Sequence, residues 1–374
     1  MAGRIKIAVV TPYFYPDWEY GGTPRVAFEL ARALADRGHE IRVLTTGRRS
    51  DTKIVDRIQV RYCRNLSNYL AHRHRFFFPV GLRNQLSHLL SDCDVLHIHE
   101  FRSTLTVPAV NAARKAGLPY VISPHGGLQH LGKQAAKRVF DLVWGQSILN
   151  HADGILVLSE KEKTDALSFG MEESRIRRLP NAIDTAAYTS LPGRTSHRKT
   201  ILFLGRLNRI KGIDILLEAF KGINRVQLVL AGPDDGEAAN IPTSPNILKT
   251  GFLDHPAKLQ AIVDSDIVVL PSRSEASPVV LYESLLCGRP VVVSSACELP
   301  MSRPADYGIL QFQSLNPADL REKLLFALSD RHLSNNAAVG REFVLREFSP
   351  RVVAEHAERI YEEVIFRGSK PPQA

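Results

Sequence analysis

Two hydrophobic rhythms alternate along this chain. Short, nearly unbroken aliphatic runs (RIKIAVV at 4–10, IRVLTT at 41–46, DVLHIH at 94–99, PYVISPHGG at 119–127, GILVLS at 154–159) are separated by stretches whose apolar positions recur at helical spacing. Continuous runs mark parallel strands buried on both faces; strands with one wet face would alternate. After the first run comes a loop rich in Gly, Pro and aromatics, TPYFYPDWEYGG, and then TPRVAFELARALADRGHE, where Val26, Leu30, Ala33 and Leu34 share a helical face. Thr23 is expected as N-cap, Pro24 at the first helical position and Gly38 at the stop. TVPAVNAARKAG predicts another helix, closed by Gly117. Such a β–loop–α–β entry opens a doubly wound sheet.

Around 179–199 (LPNAIDTAAYTSLPGRTSHRK) the rhythm loosens, and it restarts as TILFLGRL, GIDILLEAFKGI, VQLVLAGP, AKLQAIVDS, DIVVLPS, PVVLYESLLCG and PVVVS. The expected fold class is therefore α/β, with two Rossmann-like, doubly wound domains, residues 1–185 and 186–349. The helix SPRVVAEHAERIYEEVIF within the C-terminal stretch 350–374 is expected to return to the first domain.

Composition adds bounds. The 374 residues exceed what one core usually organises. With 44% hydrophobic and 23% charged residues the chain is ordinary for a globular protein. Lys6 interrupts the first apolar run, which is too short for a membrane span or signal segment, so a cytoplasmic protein is expected. Four scattered cysteines without a CxxC argue against disulfides and zinc. A net charge of +9 allows an anionic partner or mere solubility charge.

Two stretches carry candidate chemistry. In FLGRLNRIKGID, a strand ends, Gly205 permits a tight turn, and Arg206 and Lys211 flank the next helix. Two cations at the carboxyl end of a parallel strand can meet a diphosphate, each charge-assisted hydrogen bond contributing about 1.5–3 kcal/mol; a solvated basic turn is the bland alternative. In SEASPVVLYES, Glu275 lies in a loop, Ser277 is expected as N-cap with Pro278 at the first helical position, and the helix start near Val279 is an anion site. Glu283, about 1.5 turns in, can accept hydrogen bonds from a ribose diol. The bland reading is a helix-dipole glutamate plus a surface glutamate. Both stretches fall at one edge of the same sheet.

GRLNRIKG followed by the E-x7-E spacing of Glu275 and Glu283 resembles the signature of the retaining glycosyltransferases of family 4, group 1. YGGTPRVAFELARALADRGHEIRVLTT, HIHE, SPHGGL, VLSEKEK and RLPNAID resemble further pieces of that family in the same order, so the resemblance spans nearly the whole chain. It implies a GT-B fold, two Rossmann-like domains facing a central cleft. It also implies metal-independent transfer of a hexose from a nucleotide diphosphate sugar, UDP- or GDP-linked, with no cofactor. The acceptor would be a hydroxyl of a glycan or lipid-linked molecule in surface polysaccharide synthesis. Arg206 and Lys211 would neutralise the diphosphate, Glu283 would bind the ribose, and Glu275 would hold the sugar near the reacting carbon. Gly21 and Gly22 would let backbone approach the phosphate from the other domain. His125 would sit over the sugar, and Gly251–Phe252 would contact the base. Many members read Glu-Gly-Phe-Gly where this chain reads Glu275-Ala276-Ser277-Pro278, which leaves diphosphate binding intact but weakens the inference about which sugar is held.

Other features are weighed against plain readings. DSD at 264–266 is read as capping, not metal binding. His97 and His99 alternate on one strand with Glu100 next door, which suggests a metal pair, but they are read as structural, whereas Gly126 and Gly127 free the backbone to expose the His125 ring. In NYLAHRHRFFFPVGLRNQL, Arg73 and Arg75 interleave with Phe76, Phe77 and Phe78. That mixture fits an anionic membrane surface at the inner face of the cell membrane, or a packed aromatic cluster; nucleic acid is not expected. A GT-B epimerase, a phosphorylase and a non-catalytic nucleotide-sugar-binding module are the rival functions.

Overall fold

The first sheet is built from β1 (Lys6–Val10), β2 (Glu40–Gly47), β3 (Asp51–Val55), β4 (Ile58–Arg64), β5 (Val95–His99), β6 (Tyr120–Ser123), β7 (Gly154–Val157) and β8 (Ile176–Arg178). They lie in the order β3-β4-β2-β1-β5-β6-β7-β8. The computed structural model describes residues 3–74, 77–129 and 134–368. The chain divides into two units, residues 1–182 with 350–374, and residues 183–349.

All pairs in this first sheet are parallel except β3 with β4, an antiparallel hairpin the apolar pattern did not reveal. Its turn residues Asp56 and Arg57 both have positive φ, 46° and 66°, the primed turn that suits strand twist. Successive residues of β1 and β5 feed opposite cores. Ala8, Val10, Leu96 and Ile98 pack on one face of the sheet, and Ile7, Val9 and Val95 on the other. This two-sided burial is why these strands read as unbroken aliphatic runs.

The second core takes in the C-terminal helix Pro350–Gly368 through Val353, Ala357, Ile360, Tyr361 and Val364. Arg37 and His39 fasten the same helix at Glu358. The Nδ1 of His39 accepts the Ile5 amide hydrogen, so its Nε2 carries the proton donated to Glu358 at 2.8 Å. The helix Gly22–Asp36 begins earlier than the expected Thr23 cap. Gly21, at φ 112°, is the N-cap, a conformation that glycine adopts without steric cost.

The second unit holds β9 (Thr200–Leu204), β10 (Gln227–Ala231), β11 (Ile247–Gly251), β12 (Ile267–Leu270), β13 (Val291–Ser294) and β14 (Ile309–Phe312). All pairs are parallel, in the order β11-β10-β9-β12-β13-β14. In each sheet the winding reverses between two central strands, β1 and β5 in the first, β9 and β12 in the second. Loops leaving the carboxyl ends of such strands part in opposite directions and leave a crevice, the usual ligand position in an open α/β sheet.

Candidate active site

The second unit gathers its predicted residues at that reversal. β9 ends at Leu204; Gly205 follows, and Arg206 donates to Asp235 Oδ2 at 2.7 Å. Asn208, whose side chain also donates to Asp235 at 2.8 Å, caps the 3-10 turn Arg209–Lys211 by accepting the Lys211 amide hydrogen. Lys211 forms an ion pair with Glu275, on the loop that leaves β12. Ser272 donates to the same carboxylate oxygen at 3.1 Å. Arg206, Lys211 and Glu275 therefore converge on the carboxyl ends of neighbouring strands.

Two glycines allow this convergence. At Gly212 (φ 74°) a Cβ would lie 2.0 Å from the Pro271 carbonyl oxygen, and at Gly232 (φ 146°) one would lie 1.9 Å from that of Gly205. Only a residue without a side chain lets these loops approach so closely.

Glu283 stands on the helix Val279–Leu286, which issues from the Glu275 loop. Its carboxylate is paired with Lys258, and both side chains are buried. Ser277 is not the N-cap. The helix begins at Val279 with Pro278, extended at ψ 115°, in the cap position, and no side chain caps it. The Ser277 hydroxyl is instead 3.0 Å from the Tyr282 hydroxyl, and the preceding loop bridges at Glu275 to Cys297, past the end of β13. Phe252, half exposed, follows Gly251 at the carboxyl end of β11.

In the first unit, Gly21 and Gly22 open the helix that follows β1, and His125 lies just past β6. His125 is of intermediate exposure as a residue, and its backbone has φ 51°. It stacks on His99 with Nε2 2.8 Å from His99 Nδ1. Burial pushes its imidazole down to about 4, so the ring is neutral at physiological pH. His97 lies between the Tyr361 hydroxyl and Ser123 at 2.8 and 2.7 Å, and is pushed down to about 3 by burial and then by His125. Buried Glu162 accepts the amide hydrogens of Gly126 (2.6 Å) and Leu158 (2.8 Å), which holds the His125 loop.

Phe77 is corrected from surface to core. It is 5% exposed and packs edge-on against Tyr13 and Tyr20. Phe78, by contrast, is exposed, while Arg75 and Phe76 lie outside the described residues. Arg73 belongs to the short helix Asn68–His74. Asp264 and Asp266 are structural but not caps: they accept hydrogen bonds from Arg194, Thr195, Ser196 and Thr200 and so tie down the 194–200 segment, while Ser265 holds the C-cap position. Among the described residues, no cluster of His, Cys, Asp or Glu could hold a metal ion, and no helix is long and apolar enough to cross a membrane.

Sequence reasoning missed Lys258, Asp235, Gly212, Gly232 and Glu162. Lys258 gave no signal, since a lysine in an amphipathic helix ordinarily faces water. The acidic pair after VQLVLAGP did offer one, because it ends a strand beside the basic turn.

Residues 20–187 match the model of Glycosyltransferase Family 4, and residues 198–330 that of Glycosyl transferases group 1. The chain is 25% identical over 415 residues to the D-inositol 3-phosphate glycosyltransferase of Corynebacterium aurimucosum, covering 96% of each chain. Its fold is similar to sucrose-phosphate synthase of Thermosynechococcus elongatus, with a TM-score of 0.79 and 18% identity over 98% of this chain and 100% of that one. It is also similar to Anabaena Alr3699/HepE in complex with UDP and glucose, with a TM-score of 0.74 and 17% identity over 96% of this chain and 100% of that one. The two α/β units are those of the GT-B fold. Family models over both units, in the same order along the chain, establish that this protein belongs to the glycosyltransferases of family 4, group 1.

Proposed function

We propose that the protein is a retaining, metal-independent hexosyltransferase. It moves a hexose from a UDP- or GDP-linked sugar to a hydroxyl of a glycan or lipid-linked acceptor in surface polysaccharide synthesis. The observation that carries this reading is the convergence of Arg206, Lys211 and Glu275 at the strand reversal of the second unit.

The chemistry follows from charge. Breaking the sugar–phosphate bond builds negative charge on the leaving diphosphate and positive charge at the anomeric carbon. Arg206 and Lys211 stabilise the first, and they supply the cationic charge for which other phosphate sites use a divalent ion. The Glu275 carboxylate faces the second. Fixed groups of this kind contribute about 3 kcal/mol each, on the order of a hundredfold in rate. Glu283 takes the ribose hydroxyls, Phe252 the base, and Gly21 and Gly22 offer backbone amides to phosphate. His125, neutral and held by His99, hydrogen-bonds the sugar. The UDP and glucose bound by the Anabaena protein support a UDP-linked donor here.

A membrane-borne acceptor is supported by exposed apolar side chains at Leu66, Tyr69, Phe78 and Val80, and at Leu142, Val143 and Trp144.

Donor hydrolysis and transfer, measured with EDTA present, test the reading alongside calorimetry with nucleoside diphosphates. Glu275→Gln is expected to abolish nearly all turnover while leaving nucleotide affinity within a few fold. Lys211→Ala should weaken nucleotide binding by about 1.5–3 kcal/mol. Unchanged turnover in the first variant, or unchanged affinity in the second, removes that residue from the mechanism.

A further inference from the structure

We propose that Lys258 is a positioning residue that orients Glu283 toward the nucleoside and thereby sets a preference for ribose over 2′-deoxyribose. The proposal rests on the reading of Glu283 as the ribose ligand.

Lys258 lies in the first turn of the helix His255–Asp264, which follows β11, with its amide hydrogen on the Asp254 carbonyl at 2.9 Å. Asp254 caps that turn by accepting the Ala257 amide hydrogen. Lys258 is therefore delivered from a fixed backbone. It is 9% exposed and Glu283 5%, and its ammonium donates to Glu283 Oε1. Cys287, one turn beyond Glu283, has its thiol pushed up to about 12, first by burial and then by the Glu283 charge.

A buried ion pair is a weak source of stability compared with apolar side chains of the same volume, whereas removing one partner strands a charge. Stability is thus a poor reason for a lysine at this place, and orientation is a better one. The ammonium ties the Oε1 edge of the carboxylate to a second helix, which fixes the direction from which a diol can approach.

Calorimetry with UDP, GDP, ADP, their 2′-deoxy counterparts and inorganic pyrophosphate tests the proposal. The unaltered protein should bind one of these ribonucleotides about tenfold or more tighter than its 2′-deoxy form. Lys258→Met should erase that ratio and leave pyrophosphate affinity within about twofold. Lys258→Arg should restore most of the ratio. Thermal unfolding establishes that each variant is folded, and Lys258→Gln replaces Lys258→Met should the latter not fold. A folded neutral variant that keeps the ribose preference overturns the proposal. So does one that loses pyrophosphate affinity to the same extent, since that is general loosening of the site. Glu283→Gln separates the two levels. If it keeps the ratio, the ribose role of Glu283 itself fails; if it loses the ratio while the Lys258 variants keep it, only the role of Lys258 fails. Absence of any ribose preference in the unaltered protein overturns both.

Discussion

His97 shows how a single side chain can be legible in role while its partners stay hidden. Its position on β5 beside His99 raised the idea of a metal pair. The fold instead encloses the ring between Tyr361 on the C-terminal helix and Ser123 on β6, and both ring nitrogens are used. Its stability effect has a definite sign. The folded-state value, about 3, lies below the ordinary value of about 6.5. As pH falls, the unfolded chain takes up the proton first. The stability contributed by the neutral ring is therefore whole above about pH 6.5 and is lost progressively below it, by up to about 1.4 kcal/mol per pH unit. Denaturant unfolding between pH 7 and 5 should show His97→Gln with a shallower decline than the unaltered protein. An equal slope in the two proteins rejects this account. Glu275 and Lys211 behaved differently at this scale. Their residue types and their strand-end positions were readable, and the fold joins them in one ion pair.

Among elements, the loops around the second sheet carry the most constraint per residue. Gly212 in GRLNRIKG carries no signal of its role in the sequence. The structure places it against Pro271, so the turn that bears Lys211 and the loop that bears Glu275 touch through it. Gly212→Ala should cost more than about 1 kcal/mol from positive φ alone, with the clash adding to it. For a unit of this size that is a fall in melting temperature of about 2–4 °C or more. Nucleoside diphosphate affinity should fall with it, and unchanged melting and affinity together contradict the close approach. The β3–β4 hairpin marks the opposite limit. An Asp-Arg pair carries no hairpin signature, and only the sheet it joins makes both residues adopt positive φ. The cap before Val279 marks the same limit: Ser277 has the right chemistry for an N-cap, but its hydroxyl meets Tyr282 and Pro278 takes the cap position.

For the whole molecule, a net charge of +9 and exposed apolar side chains combine in the proposed membrane contact. Leu66 and Tyr69 are 76% and 70% exposed, whereas Phe77 is core. The informative variant therefore replaces Leu66, Tyr69 and Phe78 with serine and leaves Phe77 alone. It should sediment less with vesicles containing anionic lipid, and less salt-sensitively, while donor binding is retained. Equal sedimentation rejects the contact.

The sequence by itself determined the class of structure. Unbroken aliphatic runs alternating with helical periodicity admit little besides doubly wound sheets, because only strands buried on both faces need such runs. It also determined which strand ends bear cations and carboxylates, since those residues stand immediately after the runs. Tertiary structure alone decided the pairings: Lys211 with Glu275, Lys258 with Glu283, His99 with His125, and the C-terminal helix with Arg37 and His39. The reason is distance along the chain. Local pattern reports which face of an element is apolar, whereas a buried charge is satisfied by whichever element the topology brings against it.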